Sequence, residues 1–239
     1  MKRKKFLRYL LFIGAALLVL VIIYGLWMTK EYRKFHSNDP LVWKKEIREF
    51  KKIDEKTTYP ANSVLFVGSS SIRFWNSLAE DMAPIPVIQR GFGGSKIGDI
   101  LYWTPDIILS HNVNKIVVFV GTNDLADQNN DGYPADIAMK VEELEQHVHQ
   151  YLPNTVIYYI SITPTPDRWN VWHKADETNK LIKAYAEKTP NLEFLDFTEE
   201  FLLPDGTPNS DLFRIDGLHL NEEGYAIWTK RLKPLLSEE

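Results

Sequence analysis

The chain has 239 residues, a formal net charge of −4 at pH 7 and no cysteine. This length accommodates one large domain with an appendage. The lack of cysteine excludes a thiol nucleophile, a disulfide framework and a cysteine-ligated metal, and the absence of a long basic block beyond the first residues argues against binding of nucleic acid.

The N-terminus has the pattern of a membrane anchor. Residues 1–8 contain five lysines and arginines, and residues 9–28 form an uncharged, apolar run. As a helix this run extends about 30 Å, the thickness of a hydrocarbon core. A cleaved signal peptide is the alternative, but its apolar region is normally shorter and ends in small residues, whereas Trp27-Met28-Thr29-Lys30 follows here.

The charges around this run indicate its orientation. Because most of the basic residues precede it, we expect residues 1–8 to be a cytoplasmic tail and residues 9–28 an uncleaved, single-pass signal anchor in the cell membrane. The remainder of the chain would then lie outside the cytoplasm.

Residues 29–60 are predicted to be a juxtamembrane linker with an amphipathic helix. Asp39 and Pro40 are typical of an N-cap and a first helical position. Apolar side chains then recur at helical spacing, at Trp43, Ile47 and Phe50. A position on the membrane surface is the alternative, but the polar face mixes both signs of charge, and we expect the helix to pack onto the following domain.

From residue 61 to 239, short apolar runs alternate with amphipathic segments. Strands are predicted at Val64–Val67, Pro86–Gln89, Lys115–Val120, Thr155–Ile162 and Leu192–Phe197. Helices are predicted at Ser71–Leu78, Ile97–Ser110, Pro134–Tyr151, Val171–Lys188 and Asn221–Leu236. This alternation predicts βαβ units, and therefore an α/β domain with helices on both faces of a five-stranded parallel sheet.

The first predicted strand ends in a cluster of serines. Gly68 closes the apolar run, and Ser69, Ser70 and Ser71 follow. A serine just past a strand end lies where open α/β sheets place their ligands. A helix cap is the competing interpretation, since serine is a favoured N-cap residue. The choice depends on whether a base and oxyanion donors follow downstream.

Two further strand exits carry hydrogen-bond donors. The second strand is followed by Gly91-Phe92-Gly93-Gly94, whose glycines either let a backbone N–H approach a ligand closely or form a plain flexible turn. The third is followed by Gly121-Thr122-Asn123-Asp124, where the Asn123 carboxamide can donate to an oxyanion or serve as a helix cap. Beyond it, residues 127–132 begin like a calcium loop, but Ala138 replaces the bidentate glutamate, so we expect a polar turn.

Asp216 and His219 supply the acid and base that a serine nucleophile needs. They are three residues apart in a predicted loop, so the carboxylate can reach a ring nitrogen of the histidine. With Ser70 as nucleophile, the chain contains all members of a Ser-His-Asp triad, recognised by role rather than by order. The G-x-S-x-G elbow of the α/β-hydrolases is absent, which disfavours that fold.

The order and spacing of these motifs resemble those of the SGNH hydrolases, also called GDSL esterases and lipases. The matching segments are Gly68-Ser69-Ser70, Gly91-Phe92-Gly93-Gly94, Gly121-Thr122-Asn123-Asp124 and Asp216-Gly217-Leu218-His219, and the resemblance covers about residues 63–236. The first motif departs from the family, which usually has Gly-Asp-Ser, because Ser69 replaces the aspartate. Ser70 aligns with the family's serine, and Ser69 and Ser71 are the alternatives.

The resemblance implies a flavodoxin-like three-layer sandwich, the SGNH hydrolase fold, whose site needs no metal and no organic cofactor. It implies that Ser70 attacks an ester carbonyl, that His219 takes the proton, and that Asp216 orients the histidine. The oxyanion donors would be the N–H groups of Ser70 and Gly94 and the side chain of Asn123.

The implied function is that of a membrane-anchored serine esterase acting on short acyl groups of glycans or on lipid acyl esters. Arg168, Trp169 and Trp172, in the loop after the fourth strand, are candidates for a substrate groove, although tryptophans under a long loop are often core residues. A catalytically silent carbohydrate- or lipid-binding module and an acyltransferase are the alternatives on the same scaffold. Either acyl class and any oligomeric state are compatible with the sequence.

Overall fold

The computed structural model describes residues 2–126 and 132–237, in two compact units, Met1–Ser37 and Asn38–Glu239. The first unit is a single helix, α1, at Lys2–Phe35. Its segment Leu11–Phe35, which contains an 18-residue stretch with a mean hydropathy of 2.6, is long and apolar enough to cross a membrane. A membrane anchor and a signal sequence share these properties.

The second unit contains the predicted alternation of strands and helices. The strands are β1 (Val64–Gly68), β2 (Val87–Gly91), β3 (Lys115–Phe119), β4 (Val156–Ile160) and β5 (Leu192–Leu195). The helices are α2 (Lys44–Asp54), α3 (Ser70–Arg73), α4 (Leu78–Met82), α5 (Ile97–Ile107), α6 (Thr122–Leu125), α7 (Pro134–Tyr151), α8 (Trp172–Ala186) and α9 (Glu222–Ser237). Short 3-10 turns lie at Pro40–Trp43, Trp169–Val171, Glu199–Phe201 and Ser210–Leu212.

The five strands form one parallel sheet in the order β2-β1-β3-β4-β5. The predicted α/β class, the five-stranded parallel sheet and the flavodoxin-like strand order are therefore confirmed. After β2 the chain returns to the other side of β1, so β1 and β3 become neighbours, with Val64 opposite Lys115. In open α/β sheets ligands bind at such a reversal, outside the carboxyl ends of the strands.

Each strand contributes alternate side chains to two cores, one on each face of the sheet. Leu65 and Val67 of β1 pack in the core that includes side chains of α5, α7 and α8, whereas Val64 and Phe66 pack in the core that includes α4 and α9. Because both faces are covered, β1 is buried along its whole length. This explains why it reads as a continuous apolar run.

The amphipathic helix α2 packs into the first of these cores. Trp43 and Ile47 are 3% and 2% exposed, and the Trp43 ring meets the Phe92 ring edge-on at 5.5 Å. The end of the helix is held by Arg90 of β2, whose guanidinium binds the Asp54 carboxylate. The helix is thus part of the same compact unit as the sheet.

The single helix predicted over Ser71–Leu78 is wrong, because the segment forms two short helices, α3 and α4. The Gln89 side chain of β2 donates hydrogen bonds to the carbonyls of Ile72 and Trp75, at 2.6 and 3.1 Å. These carbonyls would otherwise accept from the next turn of a continuous helix. The other predicted element boundaries within residues 61–239 differ from the observed ones by at most three residues, and the helix predicted from Pro40 begins with a 3-10 turn at Pro40–Trp43.

Gly68, at the end of β1, lies where no side chain fits. A Cβ atom there would be 2.1 Å from the Phe119 carbonyl oxygen of β3. We expect Gly68→Ala to lower the free energy of unfolding by at least about 1–3 kcal/mol, the usual cost of overpacking, in urea unfolding of residues 38–239.

Gly98→Ala is the matched control, because a Cβ atom at Gly98 meets nothing within 4 Å. Inside α5 this change should be neutral or stabilising by up to about 1 kcal/mol. Equal unfolding free energies for the two variants would contradict the prediction.

Candidate active site

The three serines after β1 differ in their exposure. Ser69 and Ser71 are buried, at 3% and 8% exposure, whereas Ser70 is partly exposed at the first position of α3. Ser69 occupies the N-cap position, but its side chain makes no capping hydrogen bond. The Oγ atom of Ser70 lies 2.9 Å from the Nε2 atom of His219.

The predicted acid and base form the second half of the same line of hydrogen bonds. The Nδ1 atom of His219 lies 2.7 Å from one carboxylate oxygen of Asp216. The other oxygen accepts the backbone N–H groups of Leu218 and His219, each at 2.9 Å. Gly217, at φ +65°, allows the chain to turn back so that the carboxylate faces the imidazole.

These hydrogen bonds govern the ionisation of Asp216. Partial burial acts to raise its pKa, but hydrogen bonds from the His219 side chain and from the two backbone N–H groups outweigh it and hold the pKa below the ordinary value of 3.8. Asp216 is therefore a carboxylate at neutral pH and accepts a hydrogen bond from Nδ1–H. The Nε2 atom of the neutral imidazole is left as an acceptor facing the Ser70 hydroxyl.

The candidate oxyanion donors lie on neighbouring strand exits. Asn123 is 4% exposed on α6, and its side-chain amide donates to the Ser95 carbonyl at 3.0 Å. Gly94, which precedes Ser95, has a left-handed φ of +80°. One amide proton of Asn123 thus fixes the loop that carries Gly94, and the other stays available, since a carboxamide has two donor protons.

Asp124 is a buried acid whose environment the sequence motif did not reveal. Its two carboxylate oxygens lie 3.1 and 3.2 Å from the Ile97 N–H at the start of α5. Burial raises the pKa of Asp124 to about 7, against the hydrogen bond from Ile97. Asn123 and Asp124 therefore hold both ends of one short loop segment, residues 95–97.

A narrow cleft adjoins Ser70. It is lined by Ser70, Asn123, Thr122, Thr163, Leu218 and Trp228, among others, and its volume of about 10 Å³ is close to that of one water molecule. Among the described residues, the hydroxyls of Thr122 and Thr163 and the indole N–H of Trp228 are buried without a hydrogen-bond partner. The cleft thus combines a small volume with polar groups that a bound ligand can satisfy.

The predicted groove residues lie between β4 and the start of α8, in a segment that contacts the loop carrying Asp216 and His219. The Asp167 N–H donates to the Gly217 carbonyl at 3.0 Å. The rings of Trp169 and Trp172 are stacked, with centroids 6.1 Å apart, and Trp169 is 38% exposed. Arg168 is partly buried, with its Nε atom 3.1 Å from the Asp167 carboxylate. Trp172 also packs against the core, and a role of the two tryptophans in a substrate groove stays a prediction.

Metal-ligating side chains do not gather into a centre within residues 2–126 and 132–237, where no group of three suits a metal ion. Both ring nitrogens of His149 have partners, the Glu145 carboxylate and the Thr155 carbonyl. The polar turn predicted over 127–132 falls, except for its last residue, outside the described residues.

Comparison with known proteins relates the chain to one family. The sequence model of the GDSL-like lipase/acylhydrolase family matches residues 63–227. The platelet-activating factor acetylhydrolase IB subunit alpha2 of Rattus norvegicus is 29% identical over 184 residues, which cover 73% of this chain and 76% of the relative.

Solved structures share the fold. A GDSL-like lipase from Bacteroides thetaiotaomicron superposes with a TM-score of 0.68 at 17% identity, over 80% of this chain and 96% of its own. A catalytic mutant of an acetylxylan esterase from Geobacillus stearothermophilus gives a TM-score of 0.61 at 15% identity, over 74% and 94% of the two chains.

The ionisation of Asp124 is expected to oppose folding. Because its pKa is raised from 3.8 to about 7, the folded chain retains a proton that the unfolded chain loses above about pH 4. The contribution of Asp124 to the free energy of unfolding therefore falls as the pH rises from about 4 through about 7. Between pH 4 and 8, the free energy of unfolding of Asp124→Asn should rise by at most about 4 kcal/mol relative to that of the wild type, at about 1.36 kcal/mol per pKa unit.

Urea unfolding of residues 38–239 across this pH range measures the effect. Asp136→Asn is the control, since Asp136 is an exposed acid in the first turn of α7. Parallel pH curves for Asp124→Asn and the wild type would argue against the assigned ionisation.

Proposed function

The chain belongs to the GDSL-like lipase/acylhydrolase family and is a serine hydrolase of ester bonds, and we propose that Ser70, His219 and Asp216 are its catalytic triad. The observation that carries this proposal is the continuous line of hydrogen bonds Ser70–His219–Asp216, at 2.9 and 2.7 Å. The partial exposure of Ser70 between two buried serines supports it as the nucleophile.

In the proposed mechanism, Ser70 Oγ attacks the ester carbonyl while His219 Nε2 takes its proton. The Asp216 carboxylate stabilises the imidazolium that forms. His219 then gives the proton to the leaving alcohol, and an acyl-serine remains. Water attacks this ester with His219 again acting as base, and the proton returns to Ser70 as the acid is released.

The oxyanion of each tetrahedral intermediate would be held by three donors. They are the N–H groups of Ser70 and Gly94 and the Asn123 amide proton that does not bind Ser95. Ser70 begins α3 and its N–H is one of the donors that a helix start leaves unpaired by the helix itself. In other acyl-transfer sites, loss of one such donor costs about 2.7–4 kcal/mol of transition-state stabilisation.

The substrate is proposed to carry a short acyl group. The small volume of the cleft beside Ser70 supports this choice, because a long chain would not fit there without rearrangement. One relative is named an acetylhydrolase and one structural neighbour an acetylxylan esterase, and both names refer to acetyl groups.

The alcohol part of the substrate is proposed to be a glycan. The exposed Trp169 ring, two residues after the Asp167 N–H that bonds to Gly217, would offer an apolar face to a sugar, and Arg168 and Trp172 would complete this substrate groove. A lipid ester is the second candidate, favoured by the apolar helix α1, which would keep the chain at a membrane.

Ser70→Ala and His219→Ala should each lower the turnover of p-nitrophenyl acetate at least about 10³-fold, because removing one triad member disables the unit. Ser69→Ala and Ser71→Ala, which test the alternative nucleophiles, should keep most of the activity. Full turnover by Ser70→Ala would contradict the assignment. Wild-type protein that is inert towards every ester would favour a silent binding module.

The same assay distinguishes the substrate classes. p-Nitrophenyl acetate should be hydrolysed at least about tenfold faster than p-nitrophenyl octanoate. Trp169→Ala should raise the KM for an acetylated oligosaccharide more than the KM for p-nitrophenyl acetate. Faster hydrolysis of the longer ester would support the lipid alternative. Preferential acyl transfer to an added sugar, over water, would support an acyltransferase.

Helix α1 is proposed to be an uncleaved anchor that leaves the catalytic unit outside the cytoplasm, as the basic residues before it favour. Protease added to intact cells should then digest the catalytic unit, and the mass of the purified protein should include residues 1–28. A catalytic unit that resists the protease would contradict the orientation. A mass that lacks the N-terminal residues would indicate a cleaved signal peptide.

A further inference from the structure

We propose that Arg214 is a positioning residue, which holds the acid–base loop (residues 214–220) against the nucleophile turn (residues 69–75) and so sets the Ser70–His219 distance. The inference rests on the catalytic roles proposed above for Ser70 and His219. It assigns Arg214 no contact with the substrate.

Arg214 first closes the acid–base loop on itself. Its backbone N–H donates to the His219 carbonyl at 2.7 Å, and its carbonyl accepts the Gly217 N–H at 2.8 Å. Its side-chain Nε donates to the Leu220 carbonyl at 3.0 Å. Three hydrogen bonds thus join one arginine to three residues of the loop that carries Asp216 and His219.

The same guanidinium then connects this loop to the nucleophile turn. Its Nη2 atom donates to the Phe74 carbonyl at 3.1 Å, across 140 residues of sequence. Because the guanidinium is planar and presents its donors as a rigid fork, it can bond the Leu220 and Phe74 carbonyls together. A lysine ammonium on a flexible stem has no such fixed geometry.

The ring of Phe74 extends this connection to the catalytic base. The guanidinium lies over the ring, 5.2 Å from its centroid. The imidazole of His219 meets the same ring edge to face, with centroids 4.9 Å apart and planes at 82°. Phe74 is therefore in contact with both Arg214 and His219, so that a displaced guanidinium would release one support of the imidazole.

The middle of the acid–base loop is exposed. The side chains of Asp216 and His219 are 46% and 18% exposed and Ile215 is fully exposed, so burial holds the loop mainly at Leu220, which is 2% exposed, and the Asp167 N–H bond to the Gly217 carbonyl is a further restraint. A misplacement of about 1 Å can slow a catalysed reaction by about 10²-fold. Loss of Arg214 should therefore act on turnover, with little effect on substrate affinity.

The test uses the full-length protein in detergent, with p-nitrophenyl acetate as substrate and a phosphonate ester to count active sites. Arg214→Ala should lower kcat per active site about 10- to 100-fold while KM changes less than about twofold. The kcat per active site of Arg214→Lys should be less than about threefold higher than that of Arg214→Ala. Thermal unfolding of each variant reports on folding.

Arg231→Ala is the matched control. Arg231 of α9 also lies over a phenylalanine ring, that of Phe197 at 4.8 Å, and also contacts a carbonyl, that of Asp196 at 3.5 Å, but its guanidinium pairs with the Glu200 carboxylate, away from the proposed triad. Its replacement should leave kcat per active site unchanged.

Wild-type kcat per active site in Arg214→Ala overturns the inference, even if fewer sites are active, because a purely structural role would reduce only their number. If Arg214→Ala does not fold, Arg214→Lys is judged by the same criterion. Ser70→Ala separates the two proposals in the same assay: if it is inert while Arg214→Ala is unaffected, only this inference fails. A wild-type protein without turnover refutes both.

Discussion

The hydrogen bond between Ser70 and His219 is the contact on which the rest of the site depends. It joins two segments that lie 149 residues apart in the sequence, one at the carboxyl end of β1 and the other just before α9. The first segment is not stable alone, because a four-residue helix has too few internal hydrogen bonds. The geometry of the site is therefore a property of what surrounds these two segments.

The surroundings act mainly through backbone carbonyls of the nucleophile turn. A helix end leaves carbonyls unpaired, and here three side chains from distant parts of the chain donate to them. Gln89 reaches the turn from β2, Tyr225 from α9 and Arg214 from the acid–base loop. The sheet, the last helix and the loop that carries His219 thus all bind one short segment, so the position of this segment depends on the folding of the whole unit.

The sequence predicted those features that depend on local pattern. The alternation of apolar runs and amphipathic segments located all five strands of the sheet, and motif spacing brought Ser70, Asp216 and His219 together as candidates. The helix predicted over 71–78 was wrong, since the segment forms two short helices and Gln89, a residue of another strand, donates hydrogen bonds to the carbonyls of Ile72 and Trp75. A side chain that donates to a distant backbone carbonyl leaves no periodicity or motif, so Arg214 was missed for the same reason.

Under the proposed triad, the separation of 149 residues between Ser70 and His219 would also determine when the protein becomes reactive. At a synthesis rate of about 5–20 residues per second, the serine precedes the histidine by roughly 7–30 s. During that interval Ser70 is an ordinary alcohol without a base. Activation would thus require synthesis through His219, and a nascent chain that ends before this residue would lack the proposed base.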